Sequence, residues 1–365
     1  LGGNSVNQQI PGFIEHGLIV TGVAFEQKIC QTLMQQMLHL EMLVILIWGL
    51  LIIVGVVLIV WGAEAFAEHL GAAAVRLQIS SFALALLLAG AEPEELATAV
   101  AASLRDAPAI AFGDVVGANI AICLVALGVG AWIAPLPFSK RVMRYALFGL
   151  PIGVTATGFI WDGEISRFEG LFLIGLYVLY VAVIWWVERR PPALGETGEL
   201  EEASEEFAIE QAKGIQHRVG KELLFVLAGF AAMIAGSILL VEAVRQISQV
   251  EETQTKLALS LVGFATAFEL VILAWSTARR GVTEAVVAGV VGSFAYNVTM
   301  TLGAAAIARP LKIVDASLLH FPLIVMLGSL ALVIVLASFK GYLHKTASII
   351  LLSAYPLFLI ALLVM

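Results

Sequence analysis

Charge is scarce in this chain: only 13% of its 365 residues are Asp, Glu, Lys or Arg, against 60% hydrophobic residues and a mean hydropathy of +0.97. A water-soluble domain needs far more charge than that to cover its surface, so the soluble classes are excluded. Lys and Arg total 20 against 28 Asp and Glu, for a net charge of −8. The net charge says little about partners, because much of it sits in one linker; no nucleic acid is expected as a partner. Cysteine is nearly absent. Cys30 and Cys123 allow one disulfide at most, and Cys123 sits in an apolar run, so a disulfide framework is excluded. No H-E-x-x-H or G-x-S-x-G occurs, and the chain does not read as an enzyme.

What it has instead is apolar sequence, in runs near the roughly 20 residues that cross a bilayer. The spans read as 42–61 (continuing as helix to Arg76), 78–104, 108–134, 142–160, 168–187, 221–247, 255–278, 283–308, 317–338 and 346–364. The expected fold is therefore an all-α polytopic membrane protein with ten transmembrane helices. Residues 1–42 form an N-terminal extension in which Leu33, Met34, Met37 and Leu38 share a helical face, as in a surface or interfacial helix. Residues 17–25 are apolar but short for a span, and they lack the basic flank of a signal peptide. Residues 188–218 hold eight glutamates and read as a solvated acidic linker between residues 43–187 and 219–365.

Those two blocks repeat each other. Glu95-Leu96 and Glu269-Leu270 lie 174 residues apart, as do Gly62 and Gly236, and Val115-Val116-Gly117 matches Val290-Val291-Gly292 at an offset of 175. Loops after odd-numbered spans carry 13 of the 20 Lys and Arg residues and those after even-numbered spans only six, which puts the odd loops in the cytoplasm and both termini outside. Five spans per repeat is an odd number, so the halves insert with opposite orientation. Two inverted five-helix repeats are the architecture of many secondary transporters, with the site where the halves meet.

The chemistry is concentrated in residues 86–119. Apolar sequence is broken at Glu92-Pro93-Glu94-Glu95 and again at Gly113-Asp114…Gly117. Pro93 must kink or open a helix, and acids at membrane depth are functional candidates by default. Three residues apart, Glu92 and Glu95 share a helical face, whereas Glu94 points elsewhere. Glu94 and Asp114 read as helix caps or solvated acids, and Asp114 and Asn119 go with a Gly113-x-x-x-Gly117 segment that allows close helix approach. The second repeat supplies Thr266, Glu269, Ser293 and Asn297. An all-oxygen set of this kind suits hard cations such as Ca²⁺, Na⁺ or Mg²⁺.

Gly90-Ala91-Glu92-Pro93-Glu94-Glu95-Leu96 with Gly113-Asp114-Val115-Val116-Gly117-Ala118-Asn119-Ile120 resembles the α-repeat of the sodium/calcium exchanger family. The stretch from Phe264 to Leu270, with that from Gly289 to Ser293, is similar to the second α-repeat. The resemblance implies an alternating-access antiporter that exchanges Ca²⁺ or a similar cation for Na⁺ or H⁺ and has no prosthetic group. Its partners are inorganic cations and the lipid bilayer, in a prokaryotic plasma (inner) membrane. It assigns the essential glutamates to Glu95 and Glu269, and oxygen-ligand positions to Ala91, Glu92, Ala265, Thr266, Ser293 and Asn297. The chain departs from the family pattern at Ala91, Ala118 and Ile122, which have no side-chain oxygen, and at Glu92, which replaces a serine. A site poorer in hydroxyls and richer in acid is expected to couple to protons more than to sodium, with Glu92 as carrier. The alternative is a transport-inactive protein that keeps the exchanger fold for binding or structure.

Overall fold

The computed structural model describes residues 12–77, 92–188, 219–281 and 283–365. The first half contains α1 (Gly12–Arg76), α2 (Pro93–Leu104), α3 (Pro108–Ile133), α4 (Lys140–Ile160) and α5 (Arg167–Glu188). The second contains α6 (Val219–Ile247), α7 (Glu251–Arg280), α8 (residues 283–308), α9 (Ser317–Ser338) and α10 (Lys345–Val364). Among the described residues nine stretches are long and apolar enough to span a membrane. The tenth expected span, 78–104, is described only from Glu92 onward; its first part, like most of the acidic linker, lies outside the described residues.

Helix α1 is longer than the reading from residue 42, because no proline occurs between Pro11 and Pro93 to stop it. The chain divides into two compact units after Leu50. In the first unit Met34, Met37, Leu43 and Leu46 are exposed. The second unit, from Leu51 onward, is the ten-helix body described below.

Two short antiparallel ribbons orient the helices. Strand β1 (Leu136–Pro137), after α3, pairs with β4 (Tyr342–Leu343), after α9. Strand β2 (Glu164–Ile165), after α4, pairs with β3 (Leu311–Lys312), after α8. Each ribbon ties a loop of one half to a loop of the other, and the two ribbons mark opposite faces of the helical body. The halves are also interlocked. Helices α4 and α5 pack on α8, and in mirror fashion α9 and α10 pack on α3. This is the inverted repeat expected from the sequence.

Closest of all is the crossing of α3 and α7. A Cβ on Gly113 or Gly117 would overlap Ala258 or the carbonyl of Leu259, and one on Gly263 would lie 2.7 Å from the Asp114 carbonyl. Gly113 and Gly117 do not break α3, contrary to the sequence reading. They are helical throughout, and they provide the backbone-to-backbone approach that their spacing implied. Gly117→Ala is expected to destabilise the protein by about 1–3 kcal/mol, the usual scale for overpacking. Gly158→Ala on α4, where a methyl meets nothing within 4 Å, should be neutral or stabilising by up to about 1 kcal/mol. Unfolding in detergent, followed for both variants, checks the pair.

Candidate functional site

In both halves a helical segment begins at the same repeat position. In the first, α2 starts at Pro93, with Glu92 at the N-cap in a non-helical conformation. In the second, α7 turns at Ala267, and a new helical segment, Phe268–Arg280, begins beyond it. Pro93 and Ala267 are 174 residues apart. Only the first break carries a proline, which is why the sequence announced one and not the other. Three π-helical turns lie close by, at Ile122–Ala126, Ala258–Val262 and Asn297–Thr301. The first and third are repeat-related and begin at Ile122 and Asn297. Such turns release backbone carbonyls from their regular partners and are frequent at functional sites.

The polar side chains meet across the interface of the halves. Ser293 Oγ donates to Glu92 Oε1. Thr266 Oγ1 donates to Asp114 Oδ1 at 2.9 Å. Asn297 Nδ2 donates to Asn119 Oδ1 at 3.2 Å, and Asn119 Nδ2 donates to the Phe294 carbonyl at 3.2 Å. Thr98 Oγ1 and Ser237 Oγ are 3.0 Å apart. Every one of these bonds joins the first half to the second. With no water at membrane depth, each polar group has to find its partner inside the protein.

Glu95 stands apart from this pairing. It is fully buried, yet neither of its carboxylate oxygens accepts a hydrogen bond among the described residues. Its polar neighbours are the Asp114 and Glu94 carboxylates and the Asn297 amide. Asp114 Oδ2 is likewise buried without a hydrogen bond. Among the described residues no three of His, Cys, Asp and Glu converge closely enough to chelate a metal by themselves. A cation would thus need hydroxyl, amide and backbone oxygens besides carboxylates. Those are the donors this interface is built from, and they suit a hard cation as transported substrate.

Of the residues expected from the sequence, Glu92, Glu95, Thr266, Ser293 and Asn297 are buried at the interface, and Ala265 is buried beside them. Glu269 opens the segment after the α7 break and is half-buried, with Oε2 enclosed. Ala91 lies outside the described residues. Three readings need correction. Glu92 is not on the helical face of Glu95, because the helix begins after it. Glu94 does not point into solvent; it is 2% exposed. Asp114 is neither a cap nor solvated, and Asn119 joins the same network. Both sit one turn or less from the packing glycines Gly113 and Gly117, the adjacency by which the sequence had already marked them.

The fold and site define a polytopic membrane transporter with an inverted repeat and oxygen donors between its halves. A family model described as sodium/calcium exchanger protein matches residues 47–186 and 221–364. The chain belongs to the sodium/calcium exchanger family, whose members are cation antiporters rather than enzymes. It is 25% identical over 342 residues to "Sodium/calcium exchanger MaX1" of Methanosarcina acetivorans, covering 86% of this chain and 97% of that one. It is 24% identical over 266 residues to "Inner membrane protein YrbG" of Escherichia coli, covering 71% and 79%. A solved structure of the sodium-calcium exchanger NCX_Mj shares the fold with a TM-score of 0.56 at 19% identity, covering 86% of this chain and 97% of that one.

The Asp114–Thr266 bond generates a direct test. In a double-mutant cycle of Asp114→Asn and Thr266→Val, unfolding in detergent should give a coupling energy of about 0.6–1.7 kcal/mol, the range for hydrogen bonds between membrane helices.

Proposed function

We propose that this protein exchanges Ca²⁺, or a similar hard cation, for Na⁺ or H⁺ by alternating access across a prokaryotic plasma membrane, with both termini outside. The observation that carries this reading is Glu95: a fully buried carboxylate that no basic side chain meets among the described residues, set among the Asp114 and Glu94 carboxylates and the Asn297 amide. Buried charge of one sign is strongly unfavourable unless an opposite charge joins it, and a bound cation supplies that charge. Glu95 and Glu269 are the two principal carboxylate ligands in this proposal. Side-chain oxygens of Glu92, Thr266, Ser293 and Asn297 and the carbonyls of Ala91 and Ala265 complete the donor set. The relative named a sodium/calcium exchanger and the one named an inner membrane protein support the cation and the location.

The site is lopsided. Where the family pattern has oxygen ligands the first half has Ala118 and Ile122, which weakens at least one sodium position. Asp114 and Asn119 add oxygens close by, and Glu92 adds acid, which favours an active transporter over an inactive relic of the fold. The coupling ion is then a proton more than sodium, with Glu92 as the carrier.

Proteoliposomes test both levels. Glu95→Gln and Glu269→Gln should each weaken cation binding by at least about tenfold and stop uptake, since each removes a charge and a ligand where solvent cannot replace them. A wild-type protein that moves no Ca²⁺ under either gradient sinks the antiport reading. Vesicles loaded acid inside should take up Ca²⁺ faster than vesicles loaded with Na⁺, and Glu92→Ser should flatten the pH dependence. Sodium-driven uptake that stays constant from about pH 6 to about pH 8, on either side of neutrality, would remove Glu92 from the coupling step.

A further inference from the structure

Helices α1 and α6 touch along a seam with heptad spacing. A Cβ on Gly236 would lie 2.6 Å from the Gly55 carbonyl, and one on Gly229 would lie 2.6 Å from the Gly62 carbonyl. His69 Nδ1 meets Glu222 Oε2 at 2.6 Å one heptad further on. Partners that rise along one helix fall along the other, so the two helices are antiparallel. Their ends therefore lie on opposite faces: that of α6 on the β2–β3 face, that of α1 on the β1–β4 face.

On the β2–β3 face an ion pair fastens α6 to the corner between α2 and α3. Arg105 Nη1 lies 2.9 Å from Glu242 Oε2. Glu242 is supported locally by Arg245 at 3.6 Å and by Gln246, whose Nε2 donates to Oε1 at 2.8 Å. The repeat arithmetic carries this pair to the other face. Adding 174 to Arg105 gives Arg279, and subtracting 174 from Glu242 gives Glu68. The turns confirm the correspondence of the corners: Asp106 and Gly281, one residue out of that register, both have positive φ, 58° and 83°. Glu68 lies near the end of α1 and Arg279 at the end of α7, so both are on the β1–β4 face. They are not paired. Glu68 is exposed and makes no ion pair among the described residues, and Arg279 lies instead over the Trp275 ring at 4.9 Å.

We propose that Arg105–Glu242 and Glu68–Arg279 are repeat-related latches on opposite faces, made in alternation as α1 and α6 shift together, and that this structure shows the first made and the second released. Inverted repeats exchange their conformations when access changes sides, so a contact between one half's first helix and the other half's second must be made on one face at a time. The second latch is the weaker one: in place of Arg245 and Gln246 the first half has Gly71 and Ala72, which give Glu68 no local support. The link to substrate access rests on the antiport reading; the alternation itself does not.

The test uses full-length protein in liposomes, with Cys30 and Cys123 replaced by serine. The pairs Arg105→Cys with Glu242→Cys, and Glu68→Cys with Arg279→Cys, are bridged by a short bis-maleimide. Each pair should cross-link alone, and in the four-cysteine protein cross-linking one should cut the yield of the other about fivefold. Single substitutions should act in opposite directions. Arg105→Gln should raise Glu68–Arg279 cross-linking about two- to fivefold, the weight of one part-exposed ion pair, and Glu68→Gln should raise Arg105–Glu242 cross-linking. The charge-reversed pair Arg105→Glu with Glu242→Arg should restore the wild-type distribution. Both pairs linking fully in one molecule, or single substitutions that move both yields the same way, would overturn the proposal. Mutually exclusive cross-links in a protein that moves no Ca²⁺ would retain the latches and reject the antiport reading instead.

Discussion

Everything near the site depends on how closely α3 and α7 approach. At this crossing Gly113 and Gly117 face Ala258, Leu259 and Gly263 with no side chain between the backbones. That contact puts Asp114 within hydrogen-bond reach of Thr266, and it brings the Ala258–Val262 π-turn against the middle of α3. Dispersion between close backbones, rather than hydrophobic expulsion, is what joins helices in lipid. A methyl group at any of these glycines would separate the helices and open the polar interface beside them.

Because the interface lies at membrane depth, its polar groups are arranged by mutual satisfaction. Four side-chain pairs cross it, Glu92–Ser293, Asp114–Thr266, Asn119–Asn297 and Thr98–Ser237, each between the halves. Any relative movement of the halves must exchange these partners together. An interface of this kind favours discrete arrangements over continuous sliding. The fifth helix of each half packs on the third helix of the other, so the halves cannot separate as blocks.

The acid in this interface is one-sided. Glu92, Glu94, Glu95 and Asp114 all come from the first half and are buried, while the second half answers with hydroxyls and an amide, its Glu269 remaining half-buried. The two repeats have thus kept a common backbone, including the helical segments that begin at Pro93 and just after Ala267, while their side chains have diverged. Ala118 and Ile122, which have no side-chain oxygen, lie beside Asn119 and at the start of a π-turn, so oxygen is redistributed rather than absent.

The sequence by itself determined the membrane class, the helix count and the inverted repeat, because hydrophobic length and repeat offsets are properties of the chain that lipid reads directly. It also marked Glu95, since a carboxylate beside a proline in apolar sequence is too costly at membrane depth to stand there without a cation or a cavity. It did not determine which neighbouring acids join Glu95. Helical phase placed Glu92 with Glu95 and sent Glu94 away, but the helix starts only at Pro93, so the phase argument had no helix to act on. Asp114 looked like a helix cap or a solvated acid, and the partners of Asp114 and Asn119 are 152 and 178 residues distant. The break at Ala267 carried no proline to announce it, and the three π-turns arise from packing rather than from any residue type. Those features were decided by tertiary structure alone, because in a bilayer the partner of a polar group is set by which helix crosses it, and crossings are not written in local sequence.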